Sequence, residues 1–174
     1  MTSPEKTNIS KAAEQMTFAA DFDHNLSDKE KRKAAVKLDK LVESILEKFP
    51  DHVYDWSHLE ANKDMDEDLS LFLQVPQEDR SSVDIVVRST LSTDGIRSRE
   101  ISVAESRGII DRKRHSYYIE GGQALRFDED FSKLDDLGFP MELSVDINRR
   151  PVGVDEIDKL AELLGSAEPF NIHN

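Results

Sequence analysis

Two stretches of strict alternation constrain this chain more than any other feature. In "DLSLFLQV", Leu69, Leu71, Leu73 and Val75 fall on one side of an extended backbone and Ser70, Phe72 and Gln74 on the other. "VDIVVRSTL" repeats the pattern with Val83, Ile85, Val87 and Leu91. Successive strand residues point to opposite faces, so a period of two with one apolar side predicts half-buried strands. Burial on one side only is the habit of antiparallel sheets, since parallel strands are covered on both faces. Asp94-Gly95 supplies a tight hairpin turn into "IRSREISV", and Gly121-Gly122 a second one between "YYIE" and "QALRF". "MELSVDI" alternates again, with Met141, Leu143, Val145 and Ile147 on one side.

A sheet with one apolar face requires a cover. "SDKE" is a capping box in which Ser27 caps a helix and Glu30 reaches back, and Pro50 closes the far end. Ala34, Ala35, Leu38, Leu41, Val42, Ile45, Leu46 and Phe49 give that helix a wide apolar stripe. Asn8 caps an earlier helix with Ile9, Ala12, Ala13, Met16 and Ala20 on one face, ended by "DFDHN". A last helix runs from about Val154 to Leu164. "DHVYDWSHLEAN" reads as a short helix or packed loop, and "DEDFSKLDDLG" as one or two helical turns.

Together these elements predict an α+β fold, a two-layer sandwich in which an antiparallel sheet of about five to six strands is covered by helices on one face. The sheet is expected within residues 69–147, with Leu71, Leu73, Val83, Ile85, Leu143 and Val145 under the helix at 28–49. Residues 1–8 are expected to be disordered, 9–165 to form one domain and 166–174 to be a flexible tail; a chain of 174 residues suits one core.

Charge narrows the function. Asp and Glu number 36 against 23 Lys and Arg, for a formal net charge of -13. That balance opposes a large phosphate-binding surface, because Lys and Arg contacts dominate nucleic-acid affinity. Residues 97–115 nevertheless hold six bases (Arg97, Arg99, Arg107, Arg112, Lys113, Arg114) against three acids (Glu100, Glu105, Asp111). This local +3 leaves -16 on the rest of the chain. The absence of cysteine excludes disulfides, thiolate metal sites and a cysteine nucleophile, and suits a reducing compartment. With a polar N-terminus and no apolar run approaching a membrane span, a soluble cytoplasmic protein is expected.

The most unusual segment is "GIIDRKRHSYYIEGG". Neither alternation register gives it an apolar face, so it is expected to protrude as a hairpin, with "DRKRHS" as an exposed tip that is either solvated or a contact surface. Arg112, Lys113, Arg114, His115, Tyr117 and Tyr118 are therefore candidate partner contacts, and Asp128, Glu129 and Asp130 are candidate acidic contacts. The lysine-rich start of the 28–49 helix reads as a solvated face.

Motifs that carry chemistry are missing. There is no G-x-S-x-G elbow, no G-x-G-x-x-G and no G-x-x-x-x-G-K-[ST] loop. "DMDED" begins like a calcium loop but has Leu69 where a glycine is required and Val75 where a glutamate belongs. His52, Asp55 and His58 are close in sequence without the spacing of a zinc motif. No catalytic residue, metal or cofactor is nominated. The expected function is a non-enzymatic, acidic protein-binding module that engages a basic partner, of the immunity-protein, antitoxin, inhibitor, nucleic-acid-mimic or small-chaperone type. The alternatives are a nucleic-acid-associated protein using the basic and aromatic hairpin around 112–118, and an enzyme or ligand binder with a pocket between sheet and helices.

Overall fold

The structure is a computed structural model that describes residues 25–76, 81–107, 110–130 and 149–170. The helix expected at 9–20, the turns expected at 131–138, the strand expected at 141–147 and the last four residues lie outside them, as do Leu143 and Val145.

Helix α1 spans Asp28–Lys48 and opens on the expected capping box. The Glu30 backbone N–H donates to Ser27 Oγ at 3.2 Å, and the Ser27 N–H donates to Glu30 Oε2 at 3.1 Å. Its buried stripe is Ala34, Ala35, Leu38, Val42 and Ile45, with Leu41, Leu46 and Phe49 partly buried beside it. Short 3-10 turns at Pro50–His52 and Glu60–Asn62 flank strand β1, Tyr54–Asp55.

Five long strands follow as a meander: β2 Met65–Pro76, β3 Ser81–Ser92, β4 Arg97–Arg107, β5 Ile110–Glu120 and β6 Gln123–Asp130. β7 (Arg150–Pro151) pairs with β6, helix α2 spans Val154–Leu164, and β8 (Glu168–Pro169) pairs with β2. The fold is thus α+β with an antiparallel open sheet, but the described residues form eight strands, more than the five to six expected. The additions are the three two-residue strands, too short to leave any periodicity in the sequence.

Both helices bury their stripes in one cluster with Leu71, Leu73, Val75, Val83, Ile85, Val87, Ile101 and Val103, which alternation places on a single side of the sheet, here called the inner face. β1 and β8 share the free edge of β2, at Ser70 and Leu69 and at Leu73 and Gln74 respectively. A long bare edge invites pairing with other chains, and two short segments, one carrying Pro169, block this one. Residues 168–169, expected in the tail, thus belong to the sheet.

The β5–β6 hairpin turns on Gly121 (φ 60°) and Gly122 (φ 75°), with Glu120 opposite Gln123. Two successive left-handed residues define the turn whose twist matches a two-residue hairpin, and glycine adopts them without steric cost.

This register corrects two expectations. "DRKRHS" is not a protruding tip: it lies within β5, whose residues 113–116 pair with β4 on one side and β6 on the other. "DED" at 128–130 is not helical but ends β6. Between Glu105↔Lys113 and Ser106↔Asp111 one residue of β5, Arg112, has no counterpart on β4, which marks a β-bulge.

Candidate functional site

The basic run is explained first by its neighbour. Across the hairpin Lys113 stands opposite Asp130, Arg114 opposite Glu129 and His115 opposite Asp128. Opposite charges at facing positions stabilise an antiparallel pair, so the basic and acidic segments of the sequence complement each other within the sheet. All nine candidate contact residues belong to β5 or β6. The described side chains exclude Arg112 and Asp130. Alternation separates the remainder: Lys113, His115, Tyr117 and Asp128 fall on the inner face, and Arg114, Tyr118 and Glu129 on the outer one.

The inner set joins a buried polar cluster around Arg126, which is 0% exposed. Its Nε donates to Asp128 Oδ1 at 2.7 Å, and its Nη1 donates to Tyr117 Oη at 3.0 Å and to Glu156 Oε2 at 3.5 Å. Arg150 Nη2 donates to the other oxygen of Glu156 at 2.8 Å. His115 Nδ1 lies 2.5 Å from Asp128 Oδ1 and 3.0 Å from Arg126 Nη2. These two contacts make incompatible demands on one nitrogen, since a carboxylate only accepts and a guanidinium only donates. The shorter one decides: Nδ1 carries the proton and donates to Asp128, and the approach of Arg126 Nη2 is a close contact without a hydrogen bond.

Burial alone would raise the Asp128 pKa, but hydrogen bonds from His115 and Arg126 outweigh it and hold the carboxyl down at about 2. Burial drives the Tyr117 phenol well above its ordinary range, so it stays neutral. Burial works against the charge of Arg126, yet Tyr117, Asp128 and Glu156 hold its pKa above the usual value. Two guanidiniums facing two carboxylates leave the cluster balanced, and its members come from β5, β6, β7 and α2. It binds these elements together. The Glu156 end borders a cavity of about 390 Å³, lined also by Leu26, Glu30 and Lys33. Paired in this way, the charges hold one another in place between those elements, as a structural clamp does.

Sequence reasoning nominated His115, Tyr117 and Asp128 but missed Arg126, Glu156 and Arg150. The signal was present: with Gly121-Gly122 as the turn, counting outward sets Tyr117 opposite Arg126.

An aspartate that ionises near pH 2 when folded and near 3.9 when unfolded contributes stability that is full above about pH 4 and lost as pH falls toward 2. Urea midpoints measured from pH 5 down to pH 2.5 are therefore expected to fall more steeply in the wild type than in Asp128→Asn.

The outer face is different in kind. Neither helix packs on it, and its residues are mostly half-exposed. At one end Tyr54 stacks on Trp56 with ring centroids 5.6 Å apart, and Phe72 meets both Tyr54 and Phe170 edge-on at 6.1 Å. At the other end Tyr118 and Phe127 border a 270 Å³ depression with Glu100, Glu129, Ser116 and Arg149. The Tyr118 phenol oxygen is buried there and has no hydrogen-bond partner among the described residues. Asp68, Asp84, Glu100 and Glu129 lie on this face with Arg88, Arg114 and Arg149, and Arg88 is committed to the buried Asp68 at 3.2 Å.

Placement of residues 112–118 inside the sheet removes the protruding tip that stacking on single-stranded nucleic acid would use. Among the described residues no group of three His, Cys, Asp or Glu side chains is arranged to hold a metal ion, and no helix is long and apolar enough to cross a membrane. No protein-family model, curated protein or solved structure matches this chain.

Proposed function

We propose that the chain is a non-enzymatic, acidic protein-binding module, and that it engages a basic partner through the outer face of its sheet. The carrying observation is that face itself: among the described residues neither helix packs on it, half-exposed aromatic rings stand at both ends, and Asp84, Glu100 and Glu129 lie between them. Aromatic anchors supply contact area at low entropic cost, and surrounding charge sets partner choice and encounter rate. The net charge of -13 steers the same way. In the two-layer arrangement this reading adopts, the helices are the support and the bare sheet face is the working surface. A reducing cytoplasm suits a chain without cysteine.

The test begins with capture from the cells that make the protein, using wild type and a Glu100→Lys, Glu129→Lys variant as paired baits. A partner with an isoelectric point above about 9 is expected on the wild type, since basic surfaces carry the attraction to an acidic one. With that partner purified, the double reversal is expected to lower the association rate about tenfold at low salt, an effect that screening reduces at physiological ionic strength. Equal rates for the two baits would contradict the reading.

A further inference from the structure

Where α1 passes the start of β4 and the end of β5, a cavity of about 490 Å³ opens with Ala35, Val36, Ile119 and Gly122 in its lining. Val36 is 55% exposed there. The charge of this cavity is the reverse of the chain's. Among the described residues of its lining Arg32, Lys40, Arg97 and Arg99 stand against Asp39 alone, a local +3 in a protein of formal net charge -13. Arg97 holds Glu67 at 3.4 Å and Arg99 holds Asp39 at 3.2 Å, which fixes both arginines as a wall. Arg32 and Lys40 are exposed and form no ion pair among the described residues. Each is four residues from Val36, so the two cations flank an apolar side chain on one helical face.

A second cavity, of about 450 Å³, adjoins the first across Arg97 and Arg99. Here the sign changes: Glu43, Glu47 and Glu67 line it beside Leu46, Val53 and Leu69.

We propose that these cavities bind a small amphiphile, its anionic head held by Arg32 and Lys40 and its uncharged apolar tail laid over Val36 and Ile119 toward Leu46 and Leu69. Size, lining and charge all select this class. Small-molecule sites commonly enclose ~300–1,000 Å³ and are mostly apolar, with a few charged groups that fix orientation. The first cavity has that volume and that make-up. Arg97 and Arg99, their guanidiniums committed to Glu67 and Asp39, offer their methylene stems to the tail.

Charge then sets which end lies where. Two cations without carboxylate partners favour an anion at the first cavity, and the three glutamates of the second refuse one, so the far end of the ligand is uncharged. At physiological ionic strength a charge is felt over about 8 Å, so a head seated between Arg32 and Lys40 responds to its lining more than to the chain's net charge. A polyanion long enough to leave the cavity meets the acidic surface beyond it. Carboxylate and phosphate monoester heads share the required chemistry. The cavities lie on the inner side of the sheet, so the site stands independently of the partner reading.

NMR of the full chain with labelled methyl groups tests this, with octanoate, octyl phosphate and octanol as probes below the concentrations at which they form micelles. Octanoate or octyl phosphate is expected to shift the Val36 and Ile119 signals saturably, with an affinity about tenfold above that of octanol, as a charge-assisted contact provides. The tighter of the two anions identifies the head as carboxylate or phosphate. Arg32→Gln with Lys40→Gln changes two exposed positions, and is expected to keep the wild-type circular dichroism and octanol affinity while lowering that of the preferred anion to the octanol value. Should that variant fail to fold, the comparison of the three probes on the wild type decides alone. Equal affinities for the anions and octanol, or titrations that leave Val36 and Ile119 in place, would overturn the proposal.

Discussion

Replacing Leu38 by aspartate is expected to leave the protein without a folded state at 25 °C. Leu38 is 0% exposed and sits in the cluster where the stripe of α1 meets α2 and the inner face of the sheet. An unpaired carboxylate there has neither a cation nor water, and a cost of several kcal/mol is of the order of a whole domain's stability, roughly 5–15 kcal/mol. Leu41, on the same stripe, is only half-buried, so Leu41→Asp lets the charge turn toward water and is expected to cost less. Ser44→Asp, on the exposed side of α1, is expected to change stability by less than about 0.5 kcal/mol. Near-ultraviolet circular dichroism and thermal melting measure all three. A soluble Leu38→Asp protein with the wild-type Tm would show that α1 does not cover the sheet.

The second large effect is expected at Arg126. Arg126→Ala removes the cation shared by Asp128 and Glu156 and the donor to Tyr117, leaving Glu156, 1% exposed, with Arg150 as its remaining cation. Removing one member of a buried ion cluster typically costs about 3–5 kcal/mol, because the residual charges stay desolvated. Urea unfolding is expected to show that loss as a lower midpoint with an unchanged slope. Replacing Arg126, Asp128 and Glu156 together by Met, Leu and Leu is expected to recover only part of it, since the apolar set removes three buried charges but leaves His115, Tyr117 and Arg150 without those partners. Arg126→Ala at wild-type stability would mean that the cluster holds nothing together.

These two sites mark how far the sequence could be read. α1, β2 and β3 were legible because cap, stripe and alternation agree: Ser27 and Glu30 close the box, and Leu71, Leu73, Val83 and Ile85 point where their period of two puts them. β5 was not, because its inner face is carried by His115 and Tyr117 in place of aliphatic residues, and a hydrophobic count rejects such a strand. What makes it buriable lies on another strand: Arg126 and Asp128 satisfy those side chains, and Glu129 stands opposite Arg114. Arg112 adds a bulge that breaks the alternation in the middle of the basic run. β1, β7 and β8 were invisible for a simpler reason, being two residues long and placed by the tertiary fold. Of the candidate contacts, Tyr118 and Glu129 reach the outer depression, whereas His115, Tyr117 and Asp128 serve the buried clamp.

Side-chain NMR of the complex tests most directly whether a basic partner is held on the outer sheet face. With aromatic and methyl groups labelled, titration of the captured basic partner is predicted to shift the signals of Phe72, Trp56, Tyr118 and Phe127, while those of Leu71, Tyr117 and Leu160 on the buried side stay in place. Shifts confined to Val36, Ile119 and Leu46 along α1, with the outer-face aromatics unmoved, would contradict it.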